Sequence, residues 1–517
     1  MSRVGELIWQ LTQGVDARNP AIAGREPRFF KLENVEPRLG RLVTTKNNFA
    51  LQTMGSEITN FGSYRTSAAL GDNLYALTST SVYWINPNDL ESLTLVYSGF
   101  PSNSGEIVAL PWHDCLYVAK IYGPLVRLER KTATVVEGGC WGRYGVVANG
   151  HLYFGYAGDS TSHSATRIRW SDLDAPEDYT IDPAVSESDF FDLDPDVRQI
   201  TGVSLQRDRP VVYTEDSIWV AQYIGFPGGF RHEPLISGVG NIFHYGVVRN
   251  KEVDFFIGKD NFYALNGLQV VPIGDEIFER FINDVNIRGV ATVRGYIDTL
   301  RSQAFWVYQS KSRSNALWTV VYNYREQKWS ERSAIGLTAF YDAPRMGLYP
   351  YTPIDEVTST IDSVTALPDA DVSPVLVDQL CGYSTPGYFF LGKFGTTYST
   401  SLGSLPVVIE SCDMHFDSLS EIKEASRVVL EYTKTGSPTI TLEIGVRKNQ
   451  AEDITWTSVA MDNLDSLNAF YTKAQGIGRY LRFRITFTNS FFHNVPELLL
   501  FGLDKVEAGQ QNVSASK

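Results

Sequence analysis

From about residue 40 to residue 345 the chain repeats one phrase: a turn signal, an apolar strand, a second turn and an aromatic strand. Gly71-Asp72-Asn73 leads into Leu74-Tyr75-Ala76-Leu77, then Ser81-Val82-Tyr83-Trp84-Ile85. The same order recurs after His113-Asp114 (strands at 115–118 and 125–128), Asn149-Gly150 (151–154 and 166–170) and Arg207-Asp208-Arg209 (210–213 and 217–220). It recurs again after Asn250-Lys251 (253–257 and 261–265) and Ser302-Gln303 (304–308 and 318–322). The units follow one another at roughly 36 to 60 residues, which brackets a propeller blade. One such unit cannot bury both faces of its sheet. Packing several radially around an axis does so and leaves only short edges exposed. The reading is therefore an all-β chain built on a β-propeller, with blade number and ring closure left open by the irregular spacing.

Composition agrees. The chain has 517 residues, 43% hydrophobic and 20% charged, so a core is available and global disorder is excluded. Length alone suggests about three domains, but one ring of blades absorbs several hundred residues. Aromatic residues reach 13% and glycines number 42, as suits strands that turn often. With 45 basic and 59 acidic residues the net charge is −14. Tight nucleic-acid gripping works by neutralising phosphates and is disfavoured by that balance, whereas passive passage of a polyanion is not. No stretch approaches 18 consecutive apolar residues, so no membrane-spanning segment is expected, and the opening residues lack the apolar core of a signal peptide. Cys115, Cys140, Cys381 and Cys412 form no CxxC pair and read as buried thiols made in a reducing cytoplasm.

Three segments depart from the repeat. Ile277, Phe278, Phe281, Ile282 and Val285 make one apolar stripe and predict a helix of about three turns. Residues 346 to 392 contain no Lys or Arg, but hold Asp355, Glu356, Asp362, Asp369, Asp371 and Asp378, with Pro350, Pro353, Pro368 and Pro374 among them. This acidic insertion is too broken for a long helix. Its carboxylates at Asp355, Glu356, Asp362, Asp369 and Asp371 form the candidate channel or gate loop. From about residue 405, strict alternation at 439–446 and 481–487, with further strands near 407–409, 428–432 and 498–501, predicts a β-sandwich. The expected order is thus an arm that closes the propeller (1–40), the propeller (41–345), the insertion with the last propeller strands (346–404), the sandwich (405–505) and a flexible tail (506–517).

Chemistry-bearing motifs are absent. The seven histidines make no HxH, HxxxH or HExxH, and there is no GxSxG elbow and no phosphate-binding glycine loop. Asp192, Asp194 and Asp196 alternate as calcium ligands do, but the glycine and distal glutamate of an EF-hand loop are missing. Neither the Ser-x-Asp-x-Gly-x-x-Trp turn of sialidase-type propellers nor a repeated Trp-Asp signature occurs. No cofactor, metal or catalytic residue is expected.

Several phrases, taken in order, resemble one family. Gly14-Val15-Asp16, Asn34-Val35 and Leu39-Gly40-Arg41-Leu42 open the series. Arg167-Ile168-Arg169-Trp170-Ser171-Asp172-Leu173-Asp174-Ala175-Pro176-Glu177-Asp178-Tyr179 follows. Then come Ile200-Thr201-Gly202, the run from Val211 to Trp219, Gly258-Lys259-Asp260-Asn261-Phe262-Tyr263, Pro272-Ile273-Gly274-Asp275 and Trp329-Ser330. Over roughly residues 10 to 335 this order resembles the tail-nozzle proteins of short-tailed bacteriophages, also called tail tubular protein B or hub proteins. The resemblance implies a non-enzymatic virion component, made in the host cytoplasm. It implies a homohexameric ring below the head-to-tail adaptor, near tail fibre, spike or needle proteins, with genomic DNA in transient passage. The insertion at 346–392 follows no pattern of that family. Two rivals remain. One is a glycan- or receptor-binding tail module presenting Trp456, Tyr471 and Tyr480. The other is a propeller that cleaves glycosides with paired carboxylates.

Overall fold

The computed structural model describes residues 2–8, 14–17, 28–38, 41–44, 48–54, 56–65, 72–85, 93–103, 105–159, 161–194, 196–287, 293–333, 337–348, 375–385, 388–394, 406–414, 422–432, 439–449, 451–459, 469–472, 476–488 and 497–509. Their secondary structure is strand, apart from one short helix.

Each of the six units read from the sequence is the second and third strand of a four-stranded antiparallel blade. Blade 1 runs Ile58–Arg65, Asp72–Thr78, Ser81–Ile85, Leu93–Ser98, and blade 2 runs Val108–Trp112, Cys115–Ala119, Val126–Glu129, Thr132–Val135. Blade 3 is Trp141–Ala148, His151–Gly158, Arg167–Trp170, Asp189–Asp192, and blade 4 is Ile200–Gln206, Arg209–Thr214, Ser217–Gly225, Gly229–Ser237. Blade 5 is Val248–Asn250, Val253–Ile257, Phe262–Asn266, Gln269–Pro272, and blade 6 is Arg294–Asp298, Gln303–Gln309, Leu317–Asn323, Lys328–Ser333. A seventh blade joins Leu337–Leu348, Val375–Thr385 and Tyr388–Phe394 to Asn48–Met54, which comes from before blade 1. The first strand of blade 7 packs on the first strand of blade 1, so the ring closes. The closing strand is therefore Asn48–Met54, downstream of the 1–40 arm.

Burial explains why the second strands read as solid apolar runs. Cys115–Ala119 is buried at every position, because a blade is covered by a neighbour on both faces. The outermost strands are wet, as in Thr132–Val135. In blades 2 to 5 tight two-residue turns link the first strand to the second. Asn149 and Gly150 both have positive φ, 47° and 78°, as a type I′ hairpin requires. Blades also approach closely: a Cβ on Gly62 would lie 2.8 Å from that of Ala109 in blade 2.

Blades 4 and 5 are pinned by a buried carboxylate. Asp254 accepts hydrogen bonds from Ser204 Oγ (2.8 Å) and Tyr213 Oη (2.7 Å) and is fully buried. Burial outweighs those two bonds and pushes its pKa up to about 6. An unfolded aspartate titrates near 3.9, so between about pH 4 and 6 the folded chain holds a proton that the unfolded chain has lost. The resulting stabilisation, about 3 kcal/mol, is complete below that window and lost as pH rises through it. In thermal melts, Asp254→Asn should hold or raise the Tm at pH 7.5 and flatten the stability slope between pH 4 and 6. An unchanged slope would refute this account.

The helix, Phe278–Asp284, is two turns long rather than three. Its Phe278 and Phe281 pack against Phe262, with ring centroids 5.8 and 5.0 Å away. It stops because Asp284 takes bonds from Ser310 Oγ (2.6 Å) and the Ser312 amide (2.8 Å), while Val285 turns extended and pairs with Ser310.

The C-terminal strands form a β-sandwich. One sheet runs Val35–Arg38, Arg41–Thr44, Glu497–Gly509, Ile422–Tyr432, Ala469–Thr472, with Ser2–Ile8 also paired to Glu497–Gly509. The other sheet continues blade 6. Phe29–Glu33 pairs in parallel with Lys328–Ser333 and antiparallel with Val407–Ser411, and the sheet goes on through Tyr480–Thr488, Thr439–Arg447 and Thr455–Val459. Propeller and sandwich thus share one nine-stranded sheet. Leu42, Val428 and Leu430 from the first sheet and Ile444, Phe483 and Ile485 from the second meet in one core. The 1–40 arm is woven into these sheets. The segment expected to be a tail begins as strand, because residues 506 to 508 are paired on both edges, to Ser2–Ile8 and to Ile422–Tyr432.

Candidate functional site

Asp355, Glu356, Asp362, Asp369 and Asp371 lie outside the described residues. The alternating Asp192, Asp194 and Asp196 do not gather a metal site. Asp192 is committed to Arg167, with both oxygens 2.8 Å from the guanidinium, and no metal-binding cluster occurs among the described residues. Of the sandwich aromatics, Trp456 lies under the Arg484 guanidinium at 3.8 Å and Tyr480 faces Arg447 at 5.7 Å, while the Tyr471 side chain is outside the described set. All four cysteines are buried, and none is in a disulfide. No helix among the described residues is long and apolar enough to cross a membrane.

Two places concentrate polar chemistry. The first lies on the propeller axis. Arg294 Nε of blade 6 lies 2.7 Å from Glu106 Oε1, just before blade 2, and Arg294 Nη1 lies 3.8 Å from Glu57, just before blade 1. Tyr245 Oη, just before blade 5, accepts bonds from the Glu106 amide (2.9 Å) and from Arg143 Nε of blade 3 (3.3 Å). Arg294 also donates to the Thr338 carbonyl of blade 7 at 2.9 Å. Residues from blades so far apart in the ring can meet only at its centre, so this network closes the axis. Burial raises the pKa of Glu106, against the opposing pull of Arg294 and Arg143. Tyr144 bonds His244 nearby, and burial together with the Arg143 charge pushes that imidazole down to about 4, so it is neutral at pH 7.

The second is a cleft of about 800 Å³ between blade 2 and the loop that links the third and fourth strands of blade 3. That loop begins with the Trp170-Ser171-Asp172 phrase, and the phrase builds it. Trp170 Nε1 donates to the Glu187 carbonyl (2.6 Å), Asp172 Oδ1 accepts from the Glu187 amide (2.7 Å), and Ser188 Oγ donates to the Trp170 carbonyl (3.1 Å). The loop then swings Glu177 over blade 2, where Oε1 accepts from Tyr117 Oη (2.8 Å) and Arg127 Nη1 (3.3 Å). Arg127 also pairs with Glu129. Trp112, Tyr117 and Tyr179 supply aromatic walls. No motif announced these residues, because they come from strands and loop 50 to 60 positions apart. The one signal was the Ala175-Pro176-Glu177-Asp178-Tyr179 run, read as family resemblance and not as a wall.

No family model matches the chain, and no curated protein matches it. Among solved structures, a chain in the crystal structure of a mitotic checkpoint complex aligns over 69% of this chain and 96% of its own length, at 8% identity and a TM-score of 0.35. A likeness that slight carries no argument, and the fold stands on the strand pairing itself.

Proposed function

We propose that the chain is a structural subunit of a short-tailed phage tail: one copy of a nozzle ring below the head-to-tail adaptor, past which genome DNA is retained and then ejected. The observation that carries this reading is the closed propeller axis in a subunit welded to its sandwich by one continuous sheet. A single copy offers no tube, so a conduit built from it must form between copies related by rotation. The shared sheet ties the propeller to the sandwich, which suits a part bearing on packed DNA. The charge of −14 supplies few cationic traps for sliding phosphates. The family resemblance in the sequence points the same way.

Electron microscopy of the purified protein tests this. Closed annuli, sixfold in class averages and with the lumen between copies, are the expected result. Separate monomers under all assembly conditions, or trimeric fibres, would overturn it.

A further inference from the structure

The cleft against blade 2 is not needed by a conduit, yet it is built and left unsatisfied. Tyr179 lines it, is only 5% exposed, and has a buried hydroxyl without a hydrogen-bond partner. Arg127 Nε, in the same cleft, is likewise buried without a partner. An unanswered buried donor or acceptor is costly, and in residues that line a cleft it offers a ligand atom a bond to complete.

The chemistry of the lining narrows that ligand. Five carboxylates (Asp114, Glu129, Glu137, Glu177 and Asp178) face one guanidinium, Arg127, so an anion is disfavoured. The same carboxylate excess would draw a bare cation, but a cation has no acceptor and would leave the Arg127 Nε donor unanswered. What remains is a neutral molecule that carries donors and acceptors side by side on a body with apolar faces. Its hydroxyls would donate to the carboxylates and accept from Arg127 Nε and Tyr179 Oη. Its C–H faces would lie on the walls of Trp112 and Tyr117. A pyranose ring has that pattern. A cleft of about 800 Å³ is larger than one such ring needs, so it has room for a short oligosaccharide. We infer that this cleft binds a neutral sugar unit, at a place on the propeller distinct from the sandwich aromatics.

The test uses the full-length protein and a panel of glucose, galactose and N-acetylglucosamine with their short oligomers. Saturation-transfer NMR reads binding, and spermidine and N-acetylneuraminic acid serve as cationic and anionic comparisons. At least one neutral sugar should bind. Tyr179→Phe removes only an unpartnered hydroxyl, so it should keep the native melting profile while weakening that sugar about tenfold. Glu177→Gln should weaken it similarly. No binding by any neutral sugar overturns the inference, as does binding that both variants leave unchanged. Preferential binding of spermidine or of the acidic sugar overturns it too. None of these results bears on annulus formation, so the conduit reading stands or falls separately.

Discussion

Lys120→Met should cost the fold about 3 kcal/mol, lowering the Tm by several degrees. Lys120 follows the second strand of blade 2 and is completely buried. Its ammonium donates to three backbone carbonyls: Ser79 (2.5 Å), Pro101 (2.7 Å) and Asn103 (3.2 Å). The first belongs to a hairpin of blade 1 and the others to the connector between blades 1 and 2. All three donors are therefore spent on holding two blades and their connector together. Methionine fills similar volume but donates nothing, so three carbonyls lose their partner in a site closed to water, at about 1–3 kcal/mol each. Relief from burying a charge offsets part of this. That relief is real, because burial lowers the Lys120 pKa while Glu106 works against the shift. Hydrogen exchange should locate the damage, with amides at 79–81 and at 102, 103 and 105 losing protection before the rest of the ring. An unchanged Tm would mean that the three bonds contribute nothing net.

Local chemistry was legible in the sequence; long-range closure was not. Asn149-Gly150 announces its hairpin because the turn geometry demands those residues, and Cys115–Ala119 reads as buried because its apolar run is unbroken. Blade 7 shows no such unit. Two of its strands are separated by residues 349–374 and its fourth strand arrives from 48–54, so no short window contains its pairing. Phe29–Glu33 is five residues long, and nothing in them states that they splice blade 6 to the sandwich. The helix was visible as a stripe, but its stop was set by Ser310 and Ser312, which lie far along the chain. The site followed the same rule. Arg127, Glu177 and Tyr179 become a cleft only after two blades stack, and composition drew the eye to the acidic insertion instead.

The splice between propeller and sandwich supplies the other large effect. Asp413 is fully buried and receives Arg482 Nε at 2.8 Å and Arg447 beside it. Arg482 goes on to Glu410 at 2.9 Å, and Glu410 to Arg484 at 3.1 Å. The ring of Phe30, in the splicing strand, takes the guanidiniums of Arg482 and Arg280 at 4.5 and 4.4 Å from its centroid. Arg280 in turn bonds Glu331 of blade 6 at 2.9 Å and the Phe30 carbonyl at 2.6 Å. One chain of charge thus runs from the sandwich through Phe30 to the propeller. Replacing a whole buried ion pair with apolar groups can be neutral, but removing one partner strands the other charge, which costs about 3–5 kcal/mol. Asp413→Ala strands part of the charge of both Arg482 and Arg447. A loss in that range is expected in urea denaturation, with the sandwich yielding before the propeller. Arg482→Met added to Asp413→Ala removes a stranded charge and leaves Glu410 its bond from Arg484, so the double variant should be more stable than Asp413→Ala alone. Simple additivity of the two losses would show that the charges are not coupled, and the splice would then rest on its backbone pairing and apolar core.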